Sequence, residues 1–205
     1  YHSIVQLIWF YRNAGKLGEF KQKLDSLKKQ LQGSGSGALD LVYGLYNYFI
    51  RNYNAALEYL FKSLKYPSFS KLAILIMLDI YIHPHSYPLH SNFFHKEKLK
   101  LPERGSLDSI QRLVDLLLVN GHENEHTLYS IILDFLNDPL KVDHAITKFE
   151  QLLANPAFGI YQSLILYYLA VFNVRAKNKE KLKGVFISIR QLTYHPMQCY
   201  DEYYF

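Results

Sequence analysis

His122-Glu123-Asn124-Glu125-His126 is the one stretch of this chain whose residue types and spacing spell a familiar chemistry. Two histidines four residues apart on a helix face the same way and can hold zinc, while the glutamate after the first acts as general base. Three features oppose that reading. Gly121, directly before the stretch, is a helix-terminating residue and puts the five residues in a turn between helices. Glu125 places a second charge in a segment that an enzyme would bury. No third ligand follows at a credible spacing. The expectation is a polar corner between structural repeats, with no metal, no catalytic residue and no cofactor.

The other chemistry-bearing residues lead no further. His83, His85, His90 and His95 lie within a stretch, His83 to Gly105, that has three prolines and no hydrophobic period. No two of these histidines stand at helical i, i+4 spacing, and no cysteine is near, so residues 83–105 read as an insertion loop. The single cysteine, Cys199, excludes an internal disulfide and fits a reducing compartment. The net charge of +5 comes from scattered residues rather than one basic stripe, which disfavours nucleic acid. The longest apolar run, Leu72 to Ile82, is broken by Asp79 and reads as a buried helix, so no direct membrane insertion is expected. Neither a signal peptide nor an initiating Met precedes Tyr1, and a piece of a longer protein is expected. Nothing points to a small-molecule substrate.

What remains is the elements themselves. With 205 residues and 49% hydrophobic content the chain can bury a sizeable core. Its organising unit is Tyr43 to Pro67, YGLYNYFIRNYNAALEYLFKSLKYP. Two apolar helical patterns flank a polar turn at Arg51-Asn52-Tyr53-Asn54. Gly44 marks a close approach of two helices, and Ala56, Leu60 and Ser63 recur on one helical face before Pro67 stops the pattern. This order of small residue, turn, alanine, bulky residue, small residue and proline is the anatomy of a tetratricopeptide repeat.

The same register can be laid along the whole chain. A first unit (1–32) sets Ile4, Leu7, Ile8 and Tyr11 against Phe20, Leu24 and Leu27, with Gly15 in the turn. Gly33 to Gly37 (GSGSG) is a flexible linker. The second unit is 38–67. The third (69–120) is interrupted: Ser70 to Ile82, the insertion, then Ser106 to Val119 with Ser106 as N-cap. In the fourth (125–156) Ala145, Phe149 and Leu152 match Ala56, Leu60 and Ser63. In the fifth (157–192) Ala170 matches Gly44, and Leu182, Phe186 and Ile189 mark the second helix. A further helix starts at Thr193. The fold class is all-α, a tetratricopeptide-repeat α-solenoid of stacked antiparallel hairpins forming one domain over 1–205.

Three blocks carry a family resemblance: SIVQLIWFYRNAGKLGEF, GLYNYFIRNYNAALEYLFKSLKYP, and Ala145 to Leu192. Together they resemble the C-terminal half of the large tetratricopeptide-repeat subunit of intraflagellar transport complex A. The histidine-rich insertion departs from that pattern, as do Phe20 and Leu182 where alanine is usual. The resemblance implies a non-enzymatic scaffold in retrograde transport, located in the cytoplasm and in the cilium or flagellum and its base. It also implies other complex A subunits as partners. The competing reading is a peptide-binding adaptor such as a chaperone-tail receptor.

In a superhelix of such hairpins the first helix of each pair lines the concave wall. The register assigns to it Val5, Trp9, Leu41, Leu45, Tyr48, Tyr167, Val171 and Val174, with Thr127, Ser130 and Asp134 in the fourth unit. A wall this apolar and poor in cations argues against a clamp for a terminal carboxylate. It suits an apolar segment of another subunit, with Trp9 and Tyr48 as anchors.

Overall fold

A computed structural model describes residues 2–30, 37–82 and 107–192, with side chains over 6–29, 37–82 and 107–191. Among the described residues there are ten α-helices, two 3-10 segments and no strand. The fold class is thus the expected one, an all-α solenoid of helical hairpins. Residues 33–36 of the linker, the insertion 83–105 with its histidines, Ser106, Cys199 and the helix expected from Thr193 lie outside the described residues. The chain forms two compact units, Tyr1–Leu113 and Val114–Phe205.

The first unit contains α1 (His2–Asn13), α2 (Leu17–Gln30), α3 (Gly37–Phe49), α4 (Tyr53–Ser63), α5 (Pro67–Ile82) and the start of α6 (Leu107–Val119). Hairpins α1–α2 and α3–α4 stack through α1 and α3, and α5 packs on α3 and α4. The α3–α4 hairpin is the tightest because Gly44 lets it be. A Cβ on Gly44 would stand 2.7 Å from Leu60 Cδ2 and 3.4 Å from the Leu60 nitrogen. Ala56 is fully buried in the same hairpin. Gly37, the last residue of the linker, belongs to α3 and is buried, and a Cβ there would lie 2.1 Å from the Tyr66 ring.

Pro67 has a role opposite to the expected stop. It is the first residue of α5, where its missing N–H and fixed φ suit a helix start. Pro139 and Pro156 repeat the device. Asp138 accepts from the Leu140 N–H (3.2 Å) and Asn155 from the Ala157 N–H (3.0 Å), capping short 3-10 segments at Pro139–Lys141 and Pro156–Tyr161.

The second unit continues α6 and adds α7 (Glu123–Asn137), α8 (Val142–Leu153), α9 (Gln162–Arg175) and α10 (Lys179–Leu192). Phe172 of α9 holds the unit together, with its ring 4.7 Å from Phe135 of α7 and 5.4 Å from Phe149 of α8. Phe149 is completely buried, as its register match Leu60 is in the first unit. The run Pro156–Arg175, 20 residues with mean hydropathy 1.4, is long and apolar enough to cross a membrane. Sequence reading missed this run. Its Phe158, Tyr161, Ile165, Leu166, Leu169 and Phe172 are buried within the unit, while Ile160, Tyr167 and Val174 are exposed.

Four turns share one backbone device. After α1, α3, α6 and α9 the chain passes through a left-handed residue, respectively Gly15 (φ 70°), Arg51 (φ 63°), Gly121 (φ 77°) and Lys177 (φ 57°). In each the next N–H reaches back five residues: Lys16 to Tyr11 (2.8 Å), Asn52 to Asn47 (2.8 Å), His122 to Leu117 (2.8 Å) and Asn178 to Asn173 (2.9 Å). This Schellman closure satisfies helix-end carbonyls and turns the chain within three residues in each case. It ties α6 to α7 by the same chemistry that ties α3 to α4.

Candidate partner-binding surface

The His122–His126 stretch lies at the start of α7 rather than in a free turn. His122 is the N-cap and Glu123 to His126 form the first turn, because α6 ends at Val119 and the closure at Gly121 directly precedes His122. Two carboxylates there meet the positive end of the helix dipole. Glu125 is 3% exposed and accepts a hydrogen bond from the Tyr161 hydroxyl. Burial first, and this bond second, push the Tyr161 phenol well above the usual tyrosine range. His126 faces Ser130 at 3.4 Å. Among the described residues no three His, Cys, Asp or Glu side chains converge as a metal set.

The wall residues of the first unit are turned into its own packing. Leu41 and Leu45 are 1% and 0% exposed. Trp9 meets Phe49 of α3 edge-on at 4.8 Å, and the Arg12 guanidinium lies 5.1 Å from Trp9 and 4.6 Å from Phe49. This cation–π stack joins α1 to α3. The Tyr48 hydroxyl donates to Asp79 Oδ2 of α5 at 2.5 Å. Val5 lies outside the described side chains. Contact at these positions therefore holds α1, α3 and α5 together.

Sequence reading missed a second bridge in this unit. The Tyr43 hydroxyl of α3 donates to Asp25 Oδ1 of α2 (2.9 Å), and Lys21 Nζ donates to Asp25 Oδ2 (2.6 Å). The Lys21 and Tyr43 bonds hold the Asp25 carboxyl below its ordinary value. Desolvation, then the Asp25 bond, push the Tyr43 phenol upward. The cross-helix part of this cluster spans 18 residues, so no local spacing announces it.

The second unit keeps its wall residues open. Tyr167 is 46% and Val174 59% exposed, and Val171 is half-buried. They form one i, i+4, i+7 stripe on α9. The polar positions Thr127, Ser130 and Asp134 line a shallow cavity of about 340 Å³ between α7 and α8, facing Lys148 and Gln151. Polar and apolar parts of the proposed wall are thus both accessible here.

Residues 1–82 match the family model described as the TT21 fifth ARM repeats domain. No curated protein matches the chain. The matched region covers α1 to α5 and so the whole of the α3–α4 unit.

Proposed function

We propose that this chain is a non-enzymatic scaffold segment of a TT21-type subunit, working in the intraflagellar transport complex A that drives retrograde ciliary traffic. The observation that carries the reading is the match of residues 1–82 to the fifth ARM repeats domain of TT21, a complex A protein. The family motif and the internal repeats support it jointly. Stacked hairpins offer extended surfaces, which is how repeat scaffolds hold several partners. The partners are other complex A subunits, in the cytoplasm, the cilium and its base. Of the surfaces named by the register, the α9 stripe supports partner contact best, because Tyr167 and Val174 are exposed. Tagged full-length parent protein recovered from ciliated cells should bring down complex A subunits. Recovery of chaperones alone would replace this reading by the peptide-adaptor one.

A further inference from the structure

The four turns that share the left-handed closure differ in the residue just before the left-handed one: Ala14, Ile50, Asn120 and Ala176. Asn120-Gly121 is the only Asn-Gly pair in the sequence. Such a pair marks a turn, and it also carries a chemistry of its own. The backbone nitrogen that follows an asparagine can attack the side-chain carboxamide, which makes asparagine one of the labile residues. A glycine in second place has no Cβ to obstruct that approach. Around Gly121 the space is open, since a Cβ there would meet nothing within 4 Å. Both residues are exposed, so water, the other reactant, has access to them.

The fold also holds the pair back. Asn120 Nδ2, the leaving group, donates to the Leu116 carbonyl of the preceding helical turn at 2.7 Å. The Gly121 N–H, whose nitrogen must attack, donates to the Leu118 carbonyl at 3.0 Å. The His122 N–H completes the closure on Leu117 at 2.8 Å. Ring closure needs the Gly121 nitrogen released and the carboxamide swung towards it, so these bonds must open first.

We propose that Asn120 is a site of spontaneous deamidation, gated by local opening of the α6–α7 turn, and that its product does not rebuild the turn. In the opened turn the Gly121 nitrogen gives up its proton and bonds to Asn120 Cγ. The Cγ–Nδ2 bond breaks, and the amide leaves as ammonia with that proton, which closes a cyclic imide. Water then adds to one of the two imide carbonyls and breaks its bond to the Gly121 nitrogen, which takes a proton back. Attack at Cγ gives aspartate, and attack at the backbone carbonyl gives the isoaspartyl link. Aspartate sets an acceptor where Nδ2 donated, so two oxygens face each other at the Leu116 carbonyl. Its charge also falls at the negative end of the α6 dipole. The isoaspartyl link carries the chain through Cγ, which lengthens the backbone and displaces the Gly121 and His122 N–H groups from their acceptors. The sister turns, with alanine or isoleucine at this place, have no carboxamide to react.

The test incubates the full chain for weeks at body temperature and mildly alkaline pH in heavy-oxygen water, folded in one arm and unfolded in urea in the other. Mass spectrometry of the tryptic fragment Leu113–Lys141 then locates the label, with Asn124 and Asn137 of the same fragment as internal controls. Heavy oxygen should enter at position 120 and not at 124 or 137. The folded chain should react more slowly than the unfolded one by at least about tenfold, because only the opened turn is competent. Gly121→Ala should suppress the reaction in urea, where no fold intervenes. Asn120→Asp, which reproduces one product, should lower Tm and speed amide exchange at His122. Asn120→Ala, which loses the bond to Leu116 without adding charge, should do so less. A folded chain that stays unlabelled would reject the site, and equal rates in the two arms would reject the gate. An Asn120→Asp variant with the parent's Tm and His122 exchange would reject the consequence for the turn.

Discussion

The Tyr161 hydroxyl donates its hydrogen bond to the Glu125 carboxylate across 36 residues of chain, and both residues are buried. The bond fastens the 3-10 segment before α9 to the first turn of α7. It gives the second glutamate of the histidine-flanked stretch a structural role inside the unit. Tyr161→Phe should destabilise the protein by ~1–3 kcal/mol, because Glu125 loses a donor in a dry setting. The pH dependence provides a second readout. The folded phenol has a raised pKa, so its stabilising contribution is complete below the unfolded tyrosine value, about 10, and declines above it. Stability of the parent should therefore fall with pH above about 10 more steeply than that of Tyr161→Phe. Parallel slopes in alkaline denaturation would show that Tyr161 does not titrate as the bond requires.

Asp25 gives the opposite sign. Its folded pKa is lowered, first by the Lys21 bond and then by Tyr43, so its contribution is present at neutral pH. That contribution should fade as pH falls below about 4. Asp25→Asn should flatten the acid limb of the stability profile. An unchanged acid limb would mean that the Lys21–Asp25–Tyr43 cluster is thermodynamically silent, as exposed pairs often are.

Close packing separates the glycines. Gly44→Ala should cost ~1–3 kcal/mol, since the added carbon meets the fully buried Leu60 side chain at 2.7 Å, which must move. Gly184→Ala in α10 meets nothing within 4 Å and should stabilise by ~0.5–1 kcal/mol through helix propensity. Ala56→Leu should resemble Gly44→Ala, while Ala55→Leu, half-buried, should cost less. Denaturant titrations in which the two alanine sites respond equally would show the α3–α4 register to be wrong.

Arg51 and Lys177 occupy left-handed backbone that Gly15 and Gly121 occupy at the sister turns. A Cβ in that conformation is strained by roughly 1–2 kcal/mol. Arg51→Gly and Lys177→Gly should thus raise stability by up to ~1 kcal/mol, less the entropy glycine adds to the unfolded chain. A lower Tm for both variants would show that the side chains stabilise the turns more than the strain costs.

Local chemistry makes most of this fold legible. The Tyr43–Pro67 unit can be read because a glycine, an alanine and a helical period all describe one crossing, that of α3 and α4. Gly121 likewise announces the end of α6. Pro67 misleads because proline both follows a helix and starts one, and only the three-residue gap between α4 and α5 decides. The wall residues are harder. Helical spacing gives the face on which Leu45 and Tyr167 stand, but not which face a neighbouring helix covers. In the first unit α5 and α1 cover it; on α9 no described helix does. The bonds of Tyr161 to Glu125 and Tyr43 to Asp25 join residues far apart in sequence, where no period can signal them.

On the proposed reading, that difference in cover separates the wall residues that would meet a partner from those that stabilise the fold. Trp9 and Tyr48 touch Phe49, Arg12 and Asp79, so Trp9→Ala with Tyr48→Ala removes an edge-to-face ring contact, a cation–π stack and a short hydrogen bond. The double variant should lower Tm markedly, with a loss of ~3–5 kcal/mol from the tryptophan alone. Tyr167→Ser with Val174→Ser alters side chains that are 46% and 59% exposed, and Tm should hardly move. Partner recovery should show the reverse order, lost in the α9 pair while its fold persists. The same pull-down on both variants, read beside thermal denaturation, checks the assignment. Should the α1–α3 pair lose partners with its Tm intact, the binding surface would belong to the first unit, and the α9 stripe would be left without a role.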